Sequence, residues 1–160
     1  MARHVRLTFT ESGVSAVARL YDDLAPDVCA AMWQALEVPL EGPLTHAMAS
    51  GEELMINMPE ANRRFDPAKV PTQMATIHPR PGELLWTYLP PFYMEDFGTG
   101  LWDFIIVYGQ CVLTSRETGP LICSRWARIE DPTELAAFAK ESARTYTEGQ
   151  KPVRVERIEA

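Results

Sequence analysis

The chain has 160 residues, 46% of them hydrophobic, and carries 22 acidic against 15 basic side chains for a net charge of -7. That length suits one domain with a core large enough to fold without disulfides or a structural metal. The acidic balance, with no run of Lys or Arg, argues against a nucleic-acid or anionic-membrane partner, and no apolar run approaches the roughly 20 residues that span a bilayer.

In chain order, the first residues enter a strand pattern without an apolar signal core, so the cytoplasm is the expected location. Residues 5–10 set Val5, Leu7 and Phe9 against Arg6, Thr8 and Thr10, the period-2 pattern of a half-buried strand. Glu11-Ser12-Gly13 reads as a turn, and residues 14–20 return as the second strand. Pro26 behind Asp22 and Asp23 opens a helix whose Val28, Met32, Ala35 and Leu36 recur at helical spacing, with Pro39 as the stop. Short strands follow at 44–48, 53–58, 73–78, 83–88, 102–108, 111–114 and 121–129, punctuated by Ser50-Gly51, Pro79-Arg80-Pro81-Gly82, Gly109 and Thr118-Gly119-Pro120. This is the rhythm of a closed or sandwiched β structure rather than of βαβ units. Asp131-Pro132-Thr133-Glu134 begins a second helix running to about Ala143. The expected organisation is a domain over 1–144 and a polar tail or edge strand over 145–160.

Two loops, 59–71 and 89–100, are long enough to act as lids or binding loops. The first carries Asn62-Arg63-Arg64, which could clamp a carboxylate. The second carries Phe92, Tyr93 and Phe97, more aromatic surface than a solvated loop needs. Cys29, Cys111 and Cys123 are an odd, scattered set without a Cys-x-x-Cys pair, and read as reduced and mostly buried.

His46, Glu52 and Glu53 form the one cluster with acid-base character: imidazole titrates near neutrality, and a carboxylate can orient it as a base. They are the catalytic candidates. Adding His78 would make a two-histidine, one-carboxylate metal set, but the spacing matches no metal motif, so neither a metal nor another cofactor is expected. Ser50, His46 and Glu53 could be written as a nucleophile triad, without the Gly-x-Ser-x-Gly elbow such a site would show. Tyr88, Tyr93, Trp102, Tyr108 and Trp126 have apolar bodies with polar tips, suited equally to a small-ligand pocket and to a β core. The candidate ligand-binding set is His46, Ser50, Glu52, Tyr88, Tyr108 and Trp126.

The hairpin, the helix from Ala25-Pro26-Asp27, a Gly-Pro turn and His46-Ala47-Met48-Ala49-Ser50-Gly51-Glu52-Glu53 resemble the first half of a bacterial family of small cyclophilin-like domains of unknown function. The Pro-x-Pro-Gly turn ending at Gly82, Tyr108-Gly109, Gly119-Pro120 and Trp126-Ala127 continue the resemblance to about Ile129. It departs at three places: Met48-Ala49 stand where the family has Arg-Trp, Gln73-Met74 where it has Glu-Asn, and Cys123-Ser124 where it has Gly-Asn. The resemblance implies a mainly β, cyclophilin-like closed barrel of about eight strands with two flanking helices, and no activity. Prolyl isomerases of related fold carry a Phe-His-Arg segment that this chain lacks, so isomerase activity is not expected.

Three functional readings remain open. The first is a small-molecule-binding barrel with its pocket near His46 and Glu52. The second is a hydrolase or isomerase of small amides with a His/Glu base. The third is a structural subunit of a homo-oligomer, a symmetric homodimer through the aromatic loop or the tail.

Overall fold

In the computed structural model, which describes residues 2–93, 98–115 and 117–158, the opening alternation becomes β1 (His4–Phe9), with Val5, Leu7 and Phe9 buried. It pairs antiparallel with β2 (Ser15–Leu20), whose Ala16, Ala18 and Leu20 face the same core. Helix α1 (Pro26–Ala35) buries Val28, Met32 and Ala35. Its N-terminus has no side-chain cap of its own; instead Gln73 Oε1 accepts from the amides of Asp27 at 3.0 Å and Val28 at 3.1 Å. Two orphan helix donors are thereby satisfied from a distant loop.

The remaining elements are β3 (Leu40–His46), β4 (Gly51–Asn57), β5 (Glu83–Leu89), β6 (Leu101–Cys111), the two-residue strands β7 (Thr114–Ser115) and β8 (Gly119–Pro120), β9 (Ser124–Ile129), α2 (Pro132–Glu148) and β10 (Lys151–Ile158). Eight strands close into an antiparallel barrel in the order β1-β10-β3-β4-β6-β5-β9-β2, with β2 returning to β1. Closure leaves no unpaired barrel edge. Asp131 caps α2 by accepting from Thr133 and Glu134 amides, and Pro132 occupies the first turn. Glu134 does not reach back to the cap. Its Oε2 accepts from Val17 N at 2.8 Å, tying α2 to β2. Phe138 enters the core against Phe9, with ring centroids 4.8 Å apart.

A second, smaller apolar cluster lies on the outer face of β5 and β6. It contains Leu85, Ile105, Val107, Leu113 and Cys123. Because this cover buries the outer face while the core buries the inner one, Phe104, Ile105, Ile106 and Val107 are all wholly buried and β6 reads as a continuous apolar run.

Several expectations are corrected. Residues 73–78 form no strand; Thr76 alone bridges to Cys123, in a segment crowded by Pro71, Pro79 and Pro81. Gly109 is not a turn, and 101–111 is one strand. β3 begins at Leu40, four residues earlier than expected, and runs through Gly42-Pro43, which had the look of a turn; Pro43 stands opposite Pro152. Of the segment 145–160, the described residues 145–158 are neither tail nor edge: Thr145–Glu148 complete α2, and β10 is hydrogen-bonded on both sides, to β1 and β3. Its Val153 and Val155 lie in the core. Asn62, Arg63 and Arg64 are occupied within the fold. Asn62 Nδ2 donates to the carbonyls of Ala35 and Val38, Arg63 Nε to Met58 O, and Arg64 pairs with Glu37 at 2.6 Å.

A chain ending after Gly149 lacks the strand that closes the barrel. We expect it to lose cooperative thermal unfolding and near-ultraviolet dichroism, with a sharp transition in the shortened chain as the contrary result.

Candidate functional site

At the end of β3, the chain turns through 47–50 into β4, and Ala47 N donates to Glu53 O at 3.0 Å to close the turn. The turn is fastened to the far end of β6. Ser50 Oγ donates to Thr114 O and accepts from Thr114 N, both at 3.1 Å, and Val112 N donates to Ser50 O. Gly51, at φ +114°, lies so close to Gln110 that a Cβ would fall 2.5 Å from its carbonyl oxygen. Glu52 Oε2 accepts from Gln110 N at 2.6 Å and lies over Gly109, where an added Cβ would come within 2.2 Å of that oxygen. This is why a glycine occurs inside β6: the carboxylate needs the space.

The turn presents His46 to Tyr108. His46 Nδ1 is 2.8 Å from Ala47 O, an acceptor only, so Nδ1 carries a proton. Nε2 lies 2.7 Å from the Tyr108 hydroxyl, which donates to it when the ring is neutral. Tyr146, from the last turn of α2, sets its ring edge-on to the imidazole at a centroid distance of 4.9 Å. Together with Met48 and Glu52 these groups wall an open groove of about 480 Å³. Met48 and Tyr146 are exposed at its rim. Burial and the Glu52 charge raise the Tyr108 hydroxyl above its ordinary pKa, so it remains a proton donor at neutral pH.

The sequence-chosen residues divide into separate places. His46, Glu52 and Tyr108 converge on the groove. Ser50 is spent on Thr114 and makes no triad with His46. Glu53 turns to the opposite side of β4, where it is buried and accepts from Cys111 Sγ at 3.0 Å. His46 has no hydrogen bond to Glu52 or Glu53 among the described residues, so the expected His/Glu dyad is not formed. Tyr88 belongs to a different aromatic group, packed on Trp102 together with Trp86 and Phe65. Trp126 is wholly buried against Phe104. His78 is exposed, and the described residues contain no cluster of three or more His, Cys, Asp or Glu placed to hold a metal. Phe92 and Tyr93 are exposed, while Phe97 lies outside the described residues.

Residues 7–156 match the profile described as Protein of unknown function (DUF3830). The chain belongs to the DUF3830 family. This member's barrel is similar to that in the structure of McbB in complex with tryptophan, with a TM-score of 0.61 and 19% identity over 98% of this chain and 45% of McbB. It thus spans less than half of McbB's length. The Mimivirus cyclophilin is also similar, with a TM-score of 0.56 and 11% identity over 98% of this chain and 89% of that one. At these identities the likeness shows the cyclophilin-like fold. No curated protein matches the chain. The backbone amide of Gln73 donates to Ser124 Oγ at 3.0 Å.

Behind the groove, the outer cluster buries two acids. Asp103 is wholly enclosed, its Oδ1 has no hydrogen-bond partner among the described residues, and burial, then the nearby Glu53, push its pKa up to about 8. Burial also raises Glu53, outweighing the opposing effects of Cys111, Ser50 and His46. Both acids bind protons more tightly folded than unfolded, so the stability these two contribute is full at low pH and is lost as pH rises from about 4 to about 8. Urea titrations should show this decline, and Asp103→Asn should flatten it; an unchanged slope would contradict the assignment. Gly109→Ala should cost about 1–3 kcal/mol by displacing Glu52 from Gln110, measurable as a lowered urea midpoint.

Proposed function

We propose that this DUF3830 barrel binds a small molecule in the groove between His46, Glu52, Tyr108 and Tyr146, and that it has no prolyl isomerase activity. The observation that carries this reading is the hydrogen-bonded pair His46 Nε2 and Tyr108 hydroxyl, fixed at 2.7 Å in the wall of a groove of about 480 Å³. Small-ligand sites combine apolar walls with a few oriented polar groups in volumes of about 300–1,000 Å³. Met48 and the two tyrosines supply the walls, and the His-Tyr pair and Glu52 supply the orientation. McbB, of similar fold, is in complex with a small aromatic amino acid, which agrees with this use of the barrel. Among the described residues, no arginine lines the groove to polarise a twisting amide.

The reading as an amide hydrolase or isomerase is weaker, because Nε2, the nitrogen of neutral His46 that could take a proton, already accepts from the Tyr108 hydroxyl, and neither Glu52 nor Glu53 hydrogen-bonds the ring among the described residues. A homodimer through the aromatic loop retains one supporting observation, the exposure of Phe92 and Tyr93. The tail no longer supports it, since β10 is internal.

The test is ligand-observed NMR with a panel of aromatic fragments of positive, neutral and negative charge. At least one should bind saturably, lose affinity in His46→Ala, and weaken about five- to tenfold in Tyr108→Phe, the loss of about one hydrogen bond. Hits that all survive His46→Ala would refute the site.

A further inference from the structure

The groove has one formal charge among its described lining residues, and it is negative. Glu52 uses Oε2 to accept from Gln110 N, while Oε1 has no hydrogen-bond partner among the described residues and the residue is exposed. Among the described residues, no lysine or arginine lines the groove. On α2 and β10, Arg144 bridges Glu141 and Glu148, each at 2.9 Å, and Lys151 holds Glu148 at 2.8 Å. His46 commits its Nδ1 proton to Ala47 O. An anion entering here would meet a carboxylate and two electron-rich rings, with no cation among the described lining residues. A cation would meet the Glu52 carboxylate beside the rings of Tyr108 and Tyr146, and aromatic rings attract positive charge. The Met48 thioether adds a polarisable contact for an apolar body. The chain's net charge of -7 favours the approach of the same sign of ligand.

Resting on the reading of this groove as a binding site, we propose that its ligand is a small aromatic ammonium compound. Its cationic nitrogen would pair with Glu52, and its ring would lie against Tyr108, Tyr146 and Met48. The His46-Tyr108 pair then serves as a positioning element that holds the Tyr108 ring in place.

The experiment compares 2-phenylethylamine, phenylacetamide and phenylacetate, three probes with the same ring and different charge, on the full chain by NMR titration and calorimetry at pH 7.5. The amine is expected to bind at least about tenfold tighter than the carboxylate, with its affinity falling as salt rises. Glu52→Gln should erase the preference for the amine while leaving the amide unchanged; this variant keeps an oxygen to accept from Gln110 N. If Glu52→Gln does not fold, the salt dependence in the wild-type chain and the amine-to-carboxylate ratio decide the matter. Carboxylate binding equal to or tighter than the amine overturns the charge assignment while leaving the groove as a site. An amine affinity unaffected by both Glu52→Gln and salt overturns the role of Glu52. Absence of saturable binding by all three probes, together with a barren fragment panel, overturns the site itself.

Discussion

β10 sets Phe9 opposite Val153 and Leu7 opposite Val155 on one side, and Leu40 opposite Val155 and Leu44 opposite Lys151 on the other. β1 and β3, paired with β2 and β4 on their other edges, therefore find their second hydrogen-bonding neighbour only when the last strand arrives. Until then β1 and β3 present open edges and the core is short of Val153 and Val155. Pairings between the two ends of a chain carry a loop-closure cost before they yield any contact, which makes the barrel slow to form and cooperative once formed. The corner that delivers β10 is correspondingly well tied: Lys151 reaches both Glu141 and Glu148, and Arg144 holds the same two acids from the other side.

The groove depends on the same closure. His46 ends β3, Glu52 begins β4, Tyr108 stands near the end of β6 and Tyr146 closes α2. No two of these elements are held in register by local structure alone, except across the β3–β4 turn. The turn gains its rigidity from Ser50 and Gly51 fastened to 110–114, and Gly109 makes room for Glu52. Ser50, attractive as a nucleophile on paper, serves the site by holding the turn that carries the others. The two buried acids behind it oppose stability at neutral and alkaline pH, so the surrounding packing must offset their cost.

Much of the architecture was legible from the sequence. Alternation identified β1 and β2, helical spacing identified α1, and the Asp131-Pro132 start identified α2. The places that misled did so for physical reasons. Gly109 and Gly42-Pro43 look like turns locally, and only a carboxylate lying over one and a proline facing the other explain them inside strands. β10 looked too polar to belong to a core because a barrel strand buries one face: Arg154 and Glu156 alternate outward with Val153 and Val155 inward. Of the site, the His46-Glu52 segment and Tyr108 were legible, as residues of the right chemistry near a turn. Glu53 was misassigned because adjacent strand residues point to opposite faces, a distinction that requires the register. Tyr146 went unnoticed because ending α2 at Ala143 leaves it in a tail, whereas one more turn of helix brings it to His46. Trp126 was ambiguous in principle, since a buried tryptophan and a pocket tryptophan have the same sequence signature.

On the proposed reading of the groove, ligand binding and barrel closure are linked equilibria. A molecule held by groups from β3, β4, β6 and the end of α2 binds only the closed form, because in the unfolded chain those groups are scattered. Its binding free energy then adds to the stability of closure, growing with ligand concentration above its dissociation constant. The coupling is reciprocal, so any change that loosens the α2–β10 corner lowers ligand affinity even when no groove residue is touched. Tyr146 is the point where this coupling is most direct: it is a wall of the groove and lies within the helical turn that leads to β10. The groove thus reports on the seating of the last strand, and the C-terminal segment, far from being an appendage, is part of the structure that shapes the site.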